Sequence, residues 1–98
     1  MNQILMAAIR SKELLAILYH EHTREIEVYA YGATRLGDEV ALCFQTAGGS
    51  ESGEVPGWKL LKVEEISSIR ATGVASSEGE AKYAGPGKGI AQVYLERH

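Results

Sequence analysis

Two runs of strict alternation, separated by a glycine-bounded turn, restrict this chain more than any other feature. From Arg24 to Tyr31 the apolar residues Ile26, Val28 and Ala30 alternate with Glu25, Glu27, Tyr29 and Tyr31. From Glu39 to Thr46, Val40, Leu42 and Phe44 alternate with Glu39, Ala41, Cys43 and Gln45. A period of two is the period of a β-strand, whose successive side chains point to opposite faces. The alternation predicts two strands with Ile26, Val28, Ala30, Val40, Leu42 and Phe44 inward, joined through a turn over Gly32–Gly37.

Around this pair the remaining elements fall into place. Asn2 can cap a helix whose apolar face is Ile4, Leu5, Ala8 and Ile9, ending near Ser11 with Arg10 and Lys12 where cations suit the dipole. Leu14 to Tyr19 is uniformly apolar and reads as a strand buried on both faces, although the periodicity also admits helix as far as Leu18. The short polar stretch His20–Thr23 makes a hairpin with the strand after it. Trp58–Val63 and Ser67–Val74 supply a fourth and a fifth strand, with a single helical turn at Glu64–Ile66 between them. Ala75–Lys82 is small and charged and reads as a linker. Ile90, Val93 and Tyr94 then have the spacing of a short amphipathic helix, expected to pack on the sheet or on a partner.

The expected architecture is therefore mainly β: a small, bent, five-stranded antiparallel barrel with an N-terminal helix and a short C-terminal helix. Closure is how small β domains remove unpaired edges. Residues 1–74 form the barrel and 75–98 the linker and terminal helix. A chain of 98 residues closes one core, not two. Its net charge of −3 argues against a general nucleic-acid binder, which needs an excess of Lys and Arg. The lone Cys43 has no disulfide partner, and neither a secretory leader nor an apolar run of membrane-spanning length is found, so a cytoplasmic protein is expected.

The order helix, strand, hairpin, long loop and Trp-Lys strand resembles the WYL-domain family, especially its short stand-alone bacterial members. The residues that carry the resemblance are Ala8-Ile9-Arg10, Glu27, Tyr29, Tyr31-Gly32, Gly37, Phe44-Gln45, Gly49–Gly53, Gly57-Trp58-Lys59 and Lys62–Ile66. The Trp-Tyr-Leu triplet that names the family falls here on Glu39-Val40-Ala41, and Lys59–Lys62 stands where larger relatives carry an Arg-rich strand. The resemblance implies an Sm-like or SH3-like barrel. It also implies a regulatory module in transcription that senses a ligand, in some members a nucleotide or single-stranded DNA. Larger members carry a winged helix-turn-helix; the residues before Leu14 are too few to hold one, so no such DNA reader is expected.

The candidate site centres on Gly48–Gly57, where Ser50 and Ser52 sit among glycines whose amides can approach an anion closely. This is no P-loop, because it lacks Gly-Lys-Ser/Thr opening a helix; a plain hairpin loop is the alternative. In the strand that follows, Trp58 and Lys62 share a face and Lys59 takes the other, so Lys62 is the cation expected beside a stacking indole. A lysine guarding a solvated edge is the competing reading. Tyr29 and Tyr31, with Arg24 at the strand's start, form either a stacking platform or the aromatic bed of a covering helix. Gln45 near the loop either orients a ligand or solvates an edge.

Nothing in the sequence supplies a nucleophile with its base or a carboxylate pair; Glu64 and Glu65 diverge. His20 and His22 lack a third ligand for a metal, and Cys43 reads as a small buried hydrophobe. Gly85–Gly89 serves as a connector or as an anion-binding turn. The expected function is a non-enzymatic module, without metal or cofactor, that binds a small anionic or nucleotide-like ligand through Arg24, Tyr29, Tyr31, Gln45, Ser50, Ser52, Trp58 and Lys62. The alternative is an interaction subunit that forms homo-oligomers through a barrel edge or its C-terminal helix.

Overall fold

The computed structural model describes residues 1–51 and 53–98; Ser52, expected at the site, lies outside the described residues. Helix α1, Gln3–Ser11, begins where the Asn2 side chain accepts a bond from the Leu5 amide and ends where Lys12 turns left-handed at φ 58°. Leu5, Ala8 and Ile9 form its buried face. Strand β1, Glu13–Tyr19, settles the open boundary in favour of strand. A two-residue turn at His20-Glu21, both with positive φ, returns the chain into β2, His22–Ala33. That is the backbone twist a tight hairpin prefers. Strands β3 (Glu39–Gly48) and β4 (Gly57–Lys62), a 3-10 turn at Val63–Glu65, and β5 (Ile66–Ala75) follow.

The one sheet is antiparallel throughout, in the order β4-β3-β2-β1-β5. No ladder joins β4 to β5 among the described residues, so the sheet does not close. A sixth strand corrects two expectations at once. Ile90, Val93 and Tyr94 do not build a helix; Gln92–Glu96 is β6, paired with the second half of β2. At twelve residues β2 outruns β1, which covers only His22–Ile26, and leaves Ala30–Ala33 with an unfilled edge. Backbone pairing there outweighs a helical spacing carried by three residues. Gly32 permits the approach, since a side chain at that position would run into the Gln92 carbonyl and lie 2.7 Å from Ile90 Cγ2.

The expected faces also change. A register shift between Val28 and Ala30 marks a bulge at Tyr29. A bulge adds one residue to one strand and so exchanges the two faces beyond it. Ile26 and Val28 therefore share the main core with Tyr31, while Ala30 packs with Val40 and Ile90 in a second cluster. On β3, Ala41 and Cys43 take the main core and Val40 and Leu42 the opposite side, the reverse of the alternation's reading. Both faces are apolar because both are covered. Gly79 lies against the Phe44 ring, Tyr83 stacks on Tyr29 at 5.2 Å, Gly89 meets Leu60, and Ile90 covers Ala30.

Two buried ionic groups fasten that covering strap. Glu27, with no exposed surface, accepts bonds from Tyr29 Oη at 2.7 Å, the Glu78 amide at 2.7 Å, the Gly79 amide at 3.0 Å and Ser76 Oγ. Arg97 donates to the carbonyls of Val28 and Ser76 and to Ser77 Oγ, with its guanidinium 4.3 Å from the Tyr29 ring centroid.

Candidate functional site

The largest concavity described, about 410 Å³, is open and runs along the free edge of β4, between the His20-Glu21 turn and the loop after β3. Consecutive residues Trp58, Lys59, Leu60 and Leu61 all line it. An edge presents residues from both faces of a strand, and for that reason alternation fails here as a filter. Lys59 stands at the site, with Nζ 3.1 Å from Ser50 Oγ. Lys62, the lysine expected there, is absent from the lining; its side chain is largely exposed and reaches Glu65 at 3.9 Å.

Arg24 forms the inner wall. It is only 4% exposed, lies 5.0 Å over the Tyr19 ring, and donates to the Tyr19 carbonyl at 3.1 Å and Gln45 Oε1 at 3.3 Å. Its Nε is buried without a hydrogen-bond partner. Buried polar groups are nearly always bonded, so this closed-off Nε is an exception. Gln45 lies behind this wall with its bonding capacity committed: its amide donates to the carbonyls of Ala47 and Gly49 at 3.2 and 3.0 Å. It brackets the start of the loop.

Of the other expected residues, Trp58 lines the concavity while its ring packs on Phe44 at 5.2 Å and Tyr29 at 5.1 Å. Tyr29 is buried against Glu27, and Tyr31 is in the main core, edge-on to Tyr94 and bonded to Glu39 at 2.7 Å. The bulge at Tyr29 thus separates the two rings that alternation placed on one platform. Arg24, Ser50 and Trp58 meet at the concavity; Tyr29, Tyr31 and Lys62 do not line it.

Sequence reasoning missed Tyr19, His20, Glu51 and Glu54 as lining residues. The signal for His20 was its place at a two-residue turn, which folds the ring back over the strand it follows. Its ring stacks on Tyr19 at 4.1 Å, with Nδ1 2.8 Å from Glu51 and Nε2 2.5 Å from Glu65. The bond to Glu65 raises the imidazole above its usual 6.5, and the same bond holds the Glu65 carboxyl below its usual range. Burial raises the Tyr19 phenol, whose oxygen accepts from the Lys62 amide at 3.0 Å.

Fold and site together define a small antiparallel β protein with an open, mixed-charge cleft at a sheet edge. No protein-family model matches the chain, and no curated protein or solved structure matches it. Among the described residues, no helix is long and apolar enough to cross a membrane.

Proposed function

We propose that this chain is a non-enzymatic, WYL-like binding module acting in the cytoplasm, in a transcription-related role, and that its ligand occupies the cleft along β4. The observation that carries this reading is the meeting of Arg24, Ser50, Trp58 and Lys59 along one open concavity. The open sheet is then a splayed variant of the Sm-like or SH3-like barrel, a reading supported by its strand order and by the 3-10 turn between β4 and β5. Arg24, Lys59 and Ser50 offer donors to an anionic group, and half-buried Trp58 offers an apolar surface to a ring.

Glu51 and Glu54 on the loop side limit the charge such a ligand can carry. Arg24, Lys59 and a protonated His20 against Glu51 and Glu54 leave a small positive balance, which suits one phosphate or carboxylate on a flat ring better than a polyanion. A nucleoside monophosphate fits that description; an extended single strand brings more negative charge than the cleft balances. Calorimetry with nucleoside monophosphates, triphosphates and a short oligonucleotide separates these ligands. The monophosphate is expected to bind, Lys59→Ala to weaken it about tenfold, near 1.4 kcal/mol, and Lys62→Ala to leave it unchanged. No heat at millimolar ligand, or indifference to Lys59→Ala, overturns the reading.

One observation favours self-association as a second reading. The outer edge of β5 is unpaired, and its ten residues, Ile66–Ala75, contain a single charge, Arg70, and no proline. Of the usual edge guards, charge and proline are sparse there, and two register shifts against β1 are the guard present. Light scattering across a concentration series is expected to show dimers that Ile69→Lys disperses; a monomer at high concentration rejects this reading.

A further inference from the structure

The His20 ring has carboxylates at hydrogen-bonding distance from both of its nitrogens, Glu51 at Nδ1 and Glu65 at Nε2. A carboxylate only accepts, and a neutral imidazole carries one N–H. Both contacts are therefore satisfied together only by the imidazolium. We propose that His20 is a proton-operated latch holding the Glu51 side of the loop after β3 at the mouth of the cleft. The latch regulates the binding site proposed above and rests on that reading for its purpose, though not for its test.

Loss of the proton leaves one carboxylate facing a ring lone pair. Glu65 has other holds, the Tyr19 hydroxyl at 3.4 Å and Lys62 Nζ at 3.9 Å, whereas the structure gives Glu51 its hold through His20. Glu51 is the partner that lets go. Gln45 still fixes the Gly49 carbonyl and Lys59 still reaches Ser50, so release is confined to the segment beyond them. The charged neighbours are few and known. Glu65 and Lys62 flank the ring from the 3-10 turn and β4, Arg24 lies beneath Tyr19, Glu21 is its neighbour in the turn, and Glu54 and Lys59 share the cleft. One further titrating group touches the loop: His22, whose ring packs against Gly49.

The sign follows from both partners. The imidazole is raised in the folded protein, so its contribution is complete below 6.5 and lost as pH rises through the higher folded value. Glu65 is depressed, so its contribution fails only as pH falls through a value below 4.5. The latch is closed between those limits and opens on the alkaline side, above 6.5. An open latch returns a bare carboxylate to the mouth of an anion site, so ligand affinity falls with rising pH.

An NMR titration of the unliganded protein tests this directly. The His20 ring midpoint is expected above 6.5 and lower in Glu51→Gln, with the amide signals of Glu51, Gly53 and Glu54 following the same midpoint. In His20→Asn, which tolerates the left-handed turn, that loop transition disappears. Loop amides that stay still, that follow His22, or a His20 midpoint indifferent to Glu51→Gln each overturn the latch. Because no ligand is present, failure here leaves the binding reading standing, and a protein that binds no nucleotide can still show the latch.

Discussion

Replacing Glu27 by alanine is expected to remove about 3–5 kcal/mol of folding stability, the range seen when one member of a buried charged network is deleted. Four donors converge on this carboxylate: Tyr29 Oη, Ser76 Oγ and the amides of Glu78 and Gly79. Without it they are left buried and unpaired, and the strap over Phe44, Trp58 and Tyr29 loses its attachment at the end nearest β5. Burial alone drives the Glu27 carboxyl upward, yet the four bonds outweigh burial and its titration lies below the ordinary 4.5. A depressed carboxylate stabilises the fold above its unfolded value and ceases to do so as pH falls through the folded one. The wild type should therefore lose stability below about pH 4.5, and the Glu27→Ala protein should show a flatter acid limb. Urea unfolding followed by Trp58 fluorescence measures both. A loss under about 1 kcal/mol, as for an exposed pair, would show that Ser76–Gly79 find other partners and that the carboxylate is incidental.

How the chain announces Glu27 shows where a sequence stops being readable. Alternation and glycine placement locate β2 to β5 and their turns to within about two residues, and the Asn2 cap locates α1, while uniformly apolar β1 stays open between strand and helix. Alternation also places Glu27 beside Glu25 on the face opposite Ile26 and Val28, where a covering helix is one of two readings. The cover is a strap of turns more than fifty positions downstream, which no local pattern can report. The same strap inverts β3: with both faces buried, Val40 and Leu42 are as well placed outside as Ala41 and Cys43 inside. The bulge at Tyr29 has no glycine or proline to mark it, so the exchange that sends Tyr31 into the core goes unseen. At the C-terminus, Ile90, Val93 and Tyr94 fit a helical stripe, yet Val93 and Tyr94 are also β formers, and an unfilled edge decides between the two. The cleft is legible in part. Arg24, Ser50 and Trp58 announce themselves by type and by nearness to the glycine loop. Lys59 does not, because excluding it required a site on a sheet face and the cleft follows a sheet edge.

Gly48→Ala should be the most damaging small substitution in the loop, at about 3 kcal/mol or more, with the cleft altered as well. Gly48 has φ +100°, a region that favours glycine, so alanine is strained there before any contact is considered. A methyl group would also run into the Thr23 carbonyl and lie 2.7 Å from Arg24 Cα, and both obstacles are backbone. Gly48 is the β3 partner of Arg24 in the ladder, and the next amide, Gly49, bonds the Thr23 carbonyl at 3.1 Å. Making room for the methyl therefore means moving β3 from β2 at the point where β2 carries the cleft's buried guanidinium. Gly53→Ala in the same loop separates the two causes, since Gly53 also has positive φ, +72°, but nothing lies within 4 Å of an added carbon. That variant should lose only about 1 kcal/mol, the strain alone. Denaturant unfolding of the pair gives the difference due to close packing, and calorimetry on Gly48→Ala reports whether Arg24 keeps its place. Equal losses in the two variants would mean that β2 and β3 can part there freely, and the cleft would then lack the rigid wall on which the role proposed for Arg24 depends.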